Sequence, residues 1–118
     1  MTASIWHRVA GLSGASAVAL AAHGAHGFNP EDESMRKVFD NGNQFHLIHS
    51  AVIAAVPQMK RPNLHGAMFT VGTALFSGSC YATALTEDRR TSYLGSVPLA
   101  PIGGTTLILA WAALALLP

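Results

Sequence analysis

Four histidines are the residues best placed to do chemistry in this chain: His23, His26, His46 and His49. Each pair is spaced i, i+3, so on a helix both rings project to roughly one side. Imidazole is the commonest transition-metal ligand and also ligates haem iron. A convergent cluster built from His26, His46 and His49 at a membrane interface would hold a metal, a haem or a quinone, or relay protons. The competing account is structural. Imidazoles buried among apolar helices hydrogen-bond to neighbouring helices and fasten them. No carboxylate or cysteine accompanies the histidines to complete a usual metal set. The residue types therefore favour fastening, and no metal or cofactor is expected. His7 and His65 flank apolar stretches at the opposite end and read as interfacial.

A second polar feature is Phe76-Ser77-Gly78-Ser79-Cys80-Tyr81. Its hydroxyls can bond back to the preceding turn or across to a neighbour, and Gly78 permits a close crossing. Ser77 and Ser79 have no His or Asp at a nucleophile spacing, and no strand–turn–helix elbow surrounds them. The single cysteine, Cys80, reads as a packed small hydrophobe. There is no phosphate loop, His-Glu-x-x-His, cysteine pair or dinucleotide fingerprint. An enzyme is not expected.

These residues must be positioned by helices. The chain has 118 residues, enough for one domain, and 50% are apolar and 11% charged. An ordinary soluble domain is about 25% charged. The seven basic and six acidic residues fall in four places: Arg8, the stretch from Glu31 to Asp40, Lys60-Arg61, and Glu87 to Arg90. The segments between lack the charged face of a water-exposed helix, and they approach the ~20 apolar residues that cross a bilayer. The expectation is an all-α, integral membrane four-helix bundle, with helices at about 5–25, 44–59, 64–85 and 99–117. An amphipathic interfacial helix at about 30–42 joins the first two. A net charge of +1 and the lack of a basic run exclude a nucleic-acid partner.

Small residues are expected to bring the helices together. Gly11, Gly14, Gly24 and Gly27 mark helix 1; Ser77, Gly78 and Ser79 mark helix 3; Pro101, Gly103 and Gly104 open helix 4. The opening Met1 to Gly11 has some look of a signal peptide but is expected to remain as the start of helix 1. Asn29 is a good N-cap and Pro30 suits a first helical position, so the amphipathic helix should start there. It carries Met35, Val38, Phe39, Gly42 and Phe45 at helical spacing and leads straight, or through a bend at Gly42, into the next helix. Trp6 and Trp111 read as interface or core packing. The tight Lys60-Arg61 turn favours termini on the cytosolic or matrix side.

Four motifs lie in register: Gly24-Ala25-His26-Gly27, Phe45-His46-Leu47-Ile48-His49, Phe76-Ser77-Gly78-Ser79-Cys80-Tyr81 and Pro101-Ile102-Gly103-Gly104. In order and spacing the chain resembles the transmembrane protein 256 family, whose bacterial relatives are described as a membrane domain of unknown function. The resemblance implies a four-helix multi-pass protein without established catalysis, and mitochondrial location for members of the animal type. His26, His46 and His49 match the family pattern; His23 does not, and Phe45 stands where a Tyr is usual.

The function expected on these grounds is a non-enzymatic accessory or stabilising subunit of a mitochondrial inner-membrane assembly, such as a respiratory-chain complex. Its partners would be membrane lipid and another membrane protein or a larger complex, with no soluble substrate. The alternatives are a His-based metal, haem or quinone site and a small transporter or proton conductor.

Overall fold

The computed structural model describes residues 2–118, with side chains from Ile5 onward. Helices α1 (Thr2–His26), α2 (Ser34–Ala55), α3 (Pro62–Thr86) and α4 (Leu99–Leu116) make up most of the chain. A short antiparallel hairpin, β1 (Tyr93–Leu94) and β2 (Val97–Pro98), leads into α4. Its two-residue turn uses Gly95 at φ 66. This is the left-handed conformation that such turns require.

The helix boundaries follow from local chemistry. Helix α2 starts at Ser34, four residues beyond Pro30, which corrects the start expected at Asn29-Pro30. Asp32 does the capping, as a short carboxylate side chain can. Its Oδ1 accepts from the Ser34 amide at 2.9 Å. The same oxygen accepts from the Ser34 hydroxyl at 2.8 Å. Those hydrogen bonds hold the Asp32 carboxyl below its ordinary pKa of 3.8. The Arg36 guanidinium reaches back to the carbonyls of Gly24 (3.2 Å) and Phe28 (2.8 Å), tying α2 to the end of α1. From Ser34 the helix runs unbroken to Ala55, so the amphipathic segment and the second apolar segment are one rod with no bend at Gly42. Pro62 opens α3, where its missing N–H is not needed. Glu87 closes α3 in the left-handed conformation, and its carboxylate accepts from the Asp32 amide at 3.0 Å. The connections after α1 and after α3 are thus joined at one end of the molecule.

Helix α3 packs on both α2 and α4, whereas α1 packs mainly on α2 and meets α3 at few residues. One core cluster joins Ala10, Ile53, Phe69, Leu107 and Ala110; a second joins Phe28, Met35, Phe39 and Ala84 at the opposite end. His65, expected at an interface, is instead fully buried, with Nε2 2.9 Å from the Leu117 carbonyl. A Cβ on Gly42 would lie 2.5 Å from Cys80 Cβ, and one on Gly103 would strike the Phe76 amide nitrogen. Gly24 abuts the Phe39 ring. Gly14 and Gly104 sit at ordinary contact distance, Gly27 lies against its own helix at His23, and Gly11 and Gly78 face open space.

The expected four-span membrane bundle is corrected here. Among the described residues, one helix, α4, is both long enough and apolar enough to cross a bilayer. Helix α2 carries Arg36, Lys37 and Asp40 in its first two turns. In α1 and α3, glycine, serine, threonine and histidine dilute the aliphatic content below that of a spanning helix. The radius of gyration is 14.7 Å, and the four helices form a slab of 46 × 31 × 20 Å. A compact domain of about 100 residues has a radius of gyration of about 13 Å, so the helices are closely gathered.

The glycine contacts give a direct test. Gly103→Ala should force α4 off the α3 backbone and lower stability by about 1–3 kcal/mol. Gly78→Ala meets nothing on its added methyl group. It should hold stability or raise it by about 0.5–1 kcal/mol, since alanine is the better helix former. Parallel melting curves followed by circular dichroism check both, and a wild-type curve for Gly103→Ala would refute the close approach.

Candidate functional site

Three polar stripes in otherwise apolar helices face one another. Helix α1 offers Ser13 and Ser16, α2 offers Asn43, His46 and Ser50, and α3 offers Thr70, Thr73, Ser77 and Tyr81. Within each stripe the spacing is three or four residues, which keeps the side chains on one face. Because α1 touches α3 so little, a groove of about 470 Å³ opens between those two helices, lined by the α1 and α3 stripes and, from α2, by His46 and Ile53.

The hydrogen bonds in the groove settle most proton positions. Asn43 Nδ2 donates to the Ala17 carbonyl (2.9 Å) and to Tyr81 Oη (3.1 Å). The Tyr81 hydroxyl then has its proton free for His46 Nδ1, 2.8 Å away. That leaves His46 as the Nε2–H tautomer, with Ser16 Oγ at 3.4 Å as its partner, a long contact. Ser50 donates to the His46 carbonyl at 2.7 Å, and the Ser13 hydroxyl donates to Ser50 at 2.6 Å. Ser77 donates across to the Gly42 carbonyl at 2.7 Å. The hydroxyls of Thr70 and Thr73, in the same groove, have no partner among the described residues. Burial pushes the His46 pKa below its ordinary 6.5, opposed in part by the nearby Ser13 backbone. Burial raises that of Tyr81 above its ordinary 10.0.

The three expected ligand histidines do not converge. His49 lies three residues from His46, about 60° round the helix, and turns to α4. Its Nδ1 donates to the Phe45 carbonyl at 2.8 Å, and Nε2 accepts from the Trp111 indole at 3.1 Å, so both nitrogens are used. His26 is exposed at the end of α1. Among the described residues no three His, Cys, Asp or Glu side chains gather where a metal could sit. The metal, haem or quinone alternative is corrected on this geometry. Asn43, Tyr81, Thr70 and Thr73 escaped the sequence reading as site residues. The signal was the i, i+3, i+7 polar stripe that Asn43, His46 and Ser50 make within α2.

Comparison with known proteins adds the family. Residues 20–104 match the family described as "Protein of unknown function (DUF423)". The chain belongs to this family. The expectation drawn from the four motifs holds at that level. A UPF0382 membrane protein of Schizosaccharomyces pombe is 31% identical over 114 residues, covering 92% of this chain and 96% of its own length. One from Haemophilus influenzae is 34% identical over 110 residues, covering 88% and 85%. The UPF0382 membrane protein YwdK of Bacillus subtilis is 30% identical over 103 residues, covering 80% of each. No solved structure matches the chain.

The expected multi-pass subunit of a mitochondrial inner-membrane or respiratory-chain assembly is corrected together with the four-span anchor on which it rested, since among the described residues one helix has the length and apolarity to span. The transporter or proton-conductor alternative required the same set of spans and goes with it.

The lowered His46 pKa has a sign that can be measured. The folded state resists protonation, so the unfolded state binds more protons between the two pKa values. The stability linked to His46 is complete above about pH 6.5 and is lost as pH falls toward the lowered folded value. Wild type should therefore lose more melting temperature than His46→Gln between pH 7 and pH 5. Parallel losses would show that His46 is not the desolvated group.

Proposed function

We propose that this is a non-enzymatic membrane-associated protein that engages the bilayer through α4. The observation that carries the reading is an uncharged 18-residue helix, Leu99–Leu116, of mean hydropathy 1.8 with only 17% of its residues buried in the protein. A helix that is apolar all round belongs either in a core or in lipid. Gly103, Leu107 and Ala110 face α3, while Ile102, Ile108, Leu109, Trp111 and Leu116 stand exposed. At about 1.5 Å per residue its length is about 27 Å, close to the ~30 Å of bilayer hydrocarbon. The relatives' description as membrane proteins supports the same reading for this chain.

The membrane itself is the partner that this surface fits, and α4 is the segment that distinguishes it from the other helices. A lysine at the centre of a membrane helix costs about 2.5–3.5 kcal/mol. Combined Ile108→Lys and Leu109→Lys should therefore weaken partition into liposomes by at least ~100-fold. Val18 is an exposed apolar position of α1. Val18→Lys should leave partition within about three-fold of wild type, for want of a comparable membrane role. Vesicle flotation of the purified protein reads both. Equal loss in the two variants would defeat the assignment to α4.

A further inference from the structure

Charge is divided between the two ends of the molecule, and the division coincides with the two ends of α4. All six acidic side chains, Glu31, Asp32, Glu33, Asp40, Glu87 and Asp88, belong to the end where α4 begins. The Glu87 carboxylate on the Asp32 amide draws their two segments together there. The same end carries Arg36, Lys37, Arg89 and Arg90. Arg36 faces Glu33 at 3.6 Å and Arg90 faces Asp88 at 3.1 Å. Acids outnumber bases at this end, six to four.

The end where α4 finishes has three Lys or Arg side chains and no acidic one. His65 Nε2 donates to the Leu117 carbonyl at 2.9 Å, which fixes the close of α4 beside the opening of α3. Lys60 and Arg61 directly precede that opening at Pro62. The Trp6 indole, bonded to Asn63 at 3.1 Å, brings the first turns of α1 to the same place, and Arg8 with them. Arg8, Lys60 and Arg61 are all exposed, and among the described residues none forms an ion pair. Asp40, the last acid of α2, lies fifteen residues before the end of that helix, about 22 Å along its axis. Screening at physiological ionic strength acts over about 8 Å, so the acids do not neutralise this end.

Basic side chains that flank an apolar helix extend their flexible stems along it and place their charge in the head-group layer. Each Lys or Arg beside an anionic surface is worth about five-fold in partition, so three give roughly 100-fold. We propose that Arg8, Lys60 and Arg61, beside the C-terminal end of α4, form a docking surface for the anionic head groups of one bilayer leaflet. The inference rests on the contact of α4 with the bilayer and adds the class of lipid that the protein selects.

The test floats the purified full chain with vesicles of phosphatidylcholine alone and with vesicles holding about 30 mol% phosphatidylglycerol. Anionic lipid should raise wild-type partition at least ten-fold at about 0.15 M salt, and about 0.5 M salt should remove most of the gain. The triple variant Arg8→Gln, Lys60→Gln, Arg61→Gln should melt as wild type does, since all three side chains are exposed. It should also bind neutral vesicles as wild type does, yet keep no more than about a two-fold anionic gain. The triple variant Lys37→Gln, Arg89→Gln, Arg90→Gln removes as much positive charge from the opposite end and should retain the gain. Net charge therefore cannot account for a difference between the two. Flotation on neutral vesicles reads α4 and the anionic gain reads the basic end, so the two readings fail separately. No gain for wild type, an undiminished gain in the first variant, or equal losses in both variants would overturn the proposal.

Discussion

The arrangement depends on how closely α2 and α4 approach the backbone of α3. Gly42 lies against Cys80 and the Ser77 carbonyl, Gly103 against the Phe76 amide, and Gly72 against Leu107. At each crossing one partner is a glycine with no side chain, and a single methyl group there would not fit. Close approach lets many weak dispersion contacts act at once. It also brings the Ser77 hydroxyl within 2.7 Å of the Gly42 carbonyl, a hydrogen bond possible only when backbones are this near. Helix α3 is the axis of the molecule for this reason.

The groove is a consequence of that constraint. With α2 and α4 held tightly on α3, α1 finds its packing surface on α2. It is tethered at both ends: Arg36 reaches the Gly24 carbonyl, and the Trp6 indole donates to Asn63 at 3.1 Å. Between these ties α1 and α3 stay apart. The histidines of α2 then serve opposite sides. His46 accepts at Nδ1 and faces the groove; His49 donates at Nδ1 and accepts from Trp111 toward α4. Opposite tautomers three residues apart show that each ring is set by its own neighbours and not by a shared ligand.

Polar and apolar surface are distributed to match. The acidic stretch that precedes and opens α2 and the Glu87–Arg90 segment meet at one end, through the Asp32–Glu87 contact, with Arg90 paired to Asp88 at 3.1 Å. These charged groups are exposed and contribute little to stability individually. Helix α4 carries none, and it presents most of its circumference outward. That contrast, more than any catalytic arrangement of residues, gives the molecule its functional direction.

Much of this was legible in the amino-acid order. Four helices and an amphipathic start to the second follow from periodicity and residue type, which act locally. The close glycine at Gly103 was readable too, because small residues at helix entries permit near approach. What composition could not decide was how many helices belong in lipid. Hydroxyl, glycine and histidine residues look the same in sequence whether they face lipid, a neighbouring helix or a groove, and the low charge of the whole chain obscured how far α4 stands apart. Nor could spacing reveal that His46 and His49 diverge, that Asn43 and Tyr81 fix the tautomer of His46, or that Thr70 and Thr73 are left without partners. Those facts depend on which helices touch. Tertiary packing alone decides that, because it sets the distance between side chains that lie tens of residues apart in the chain.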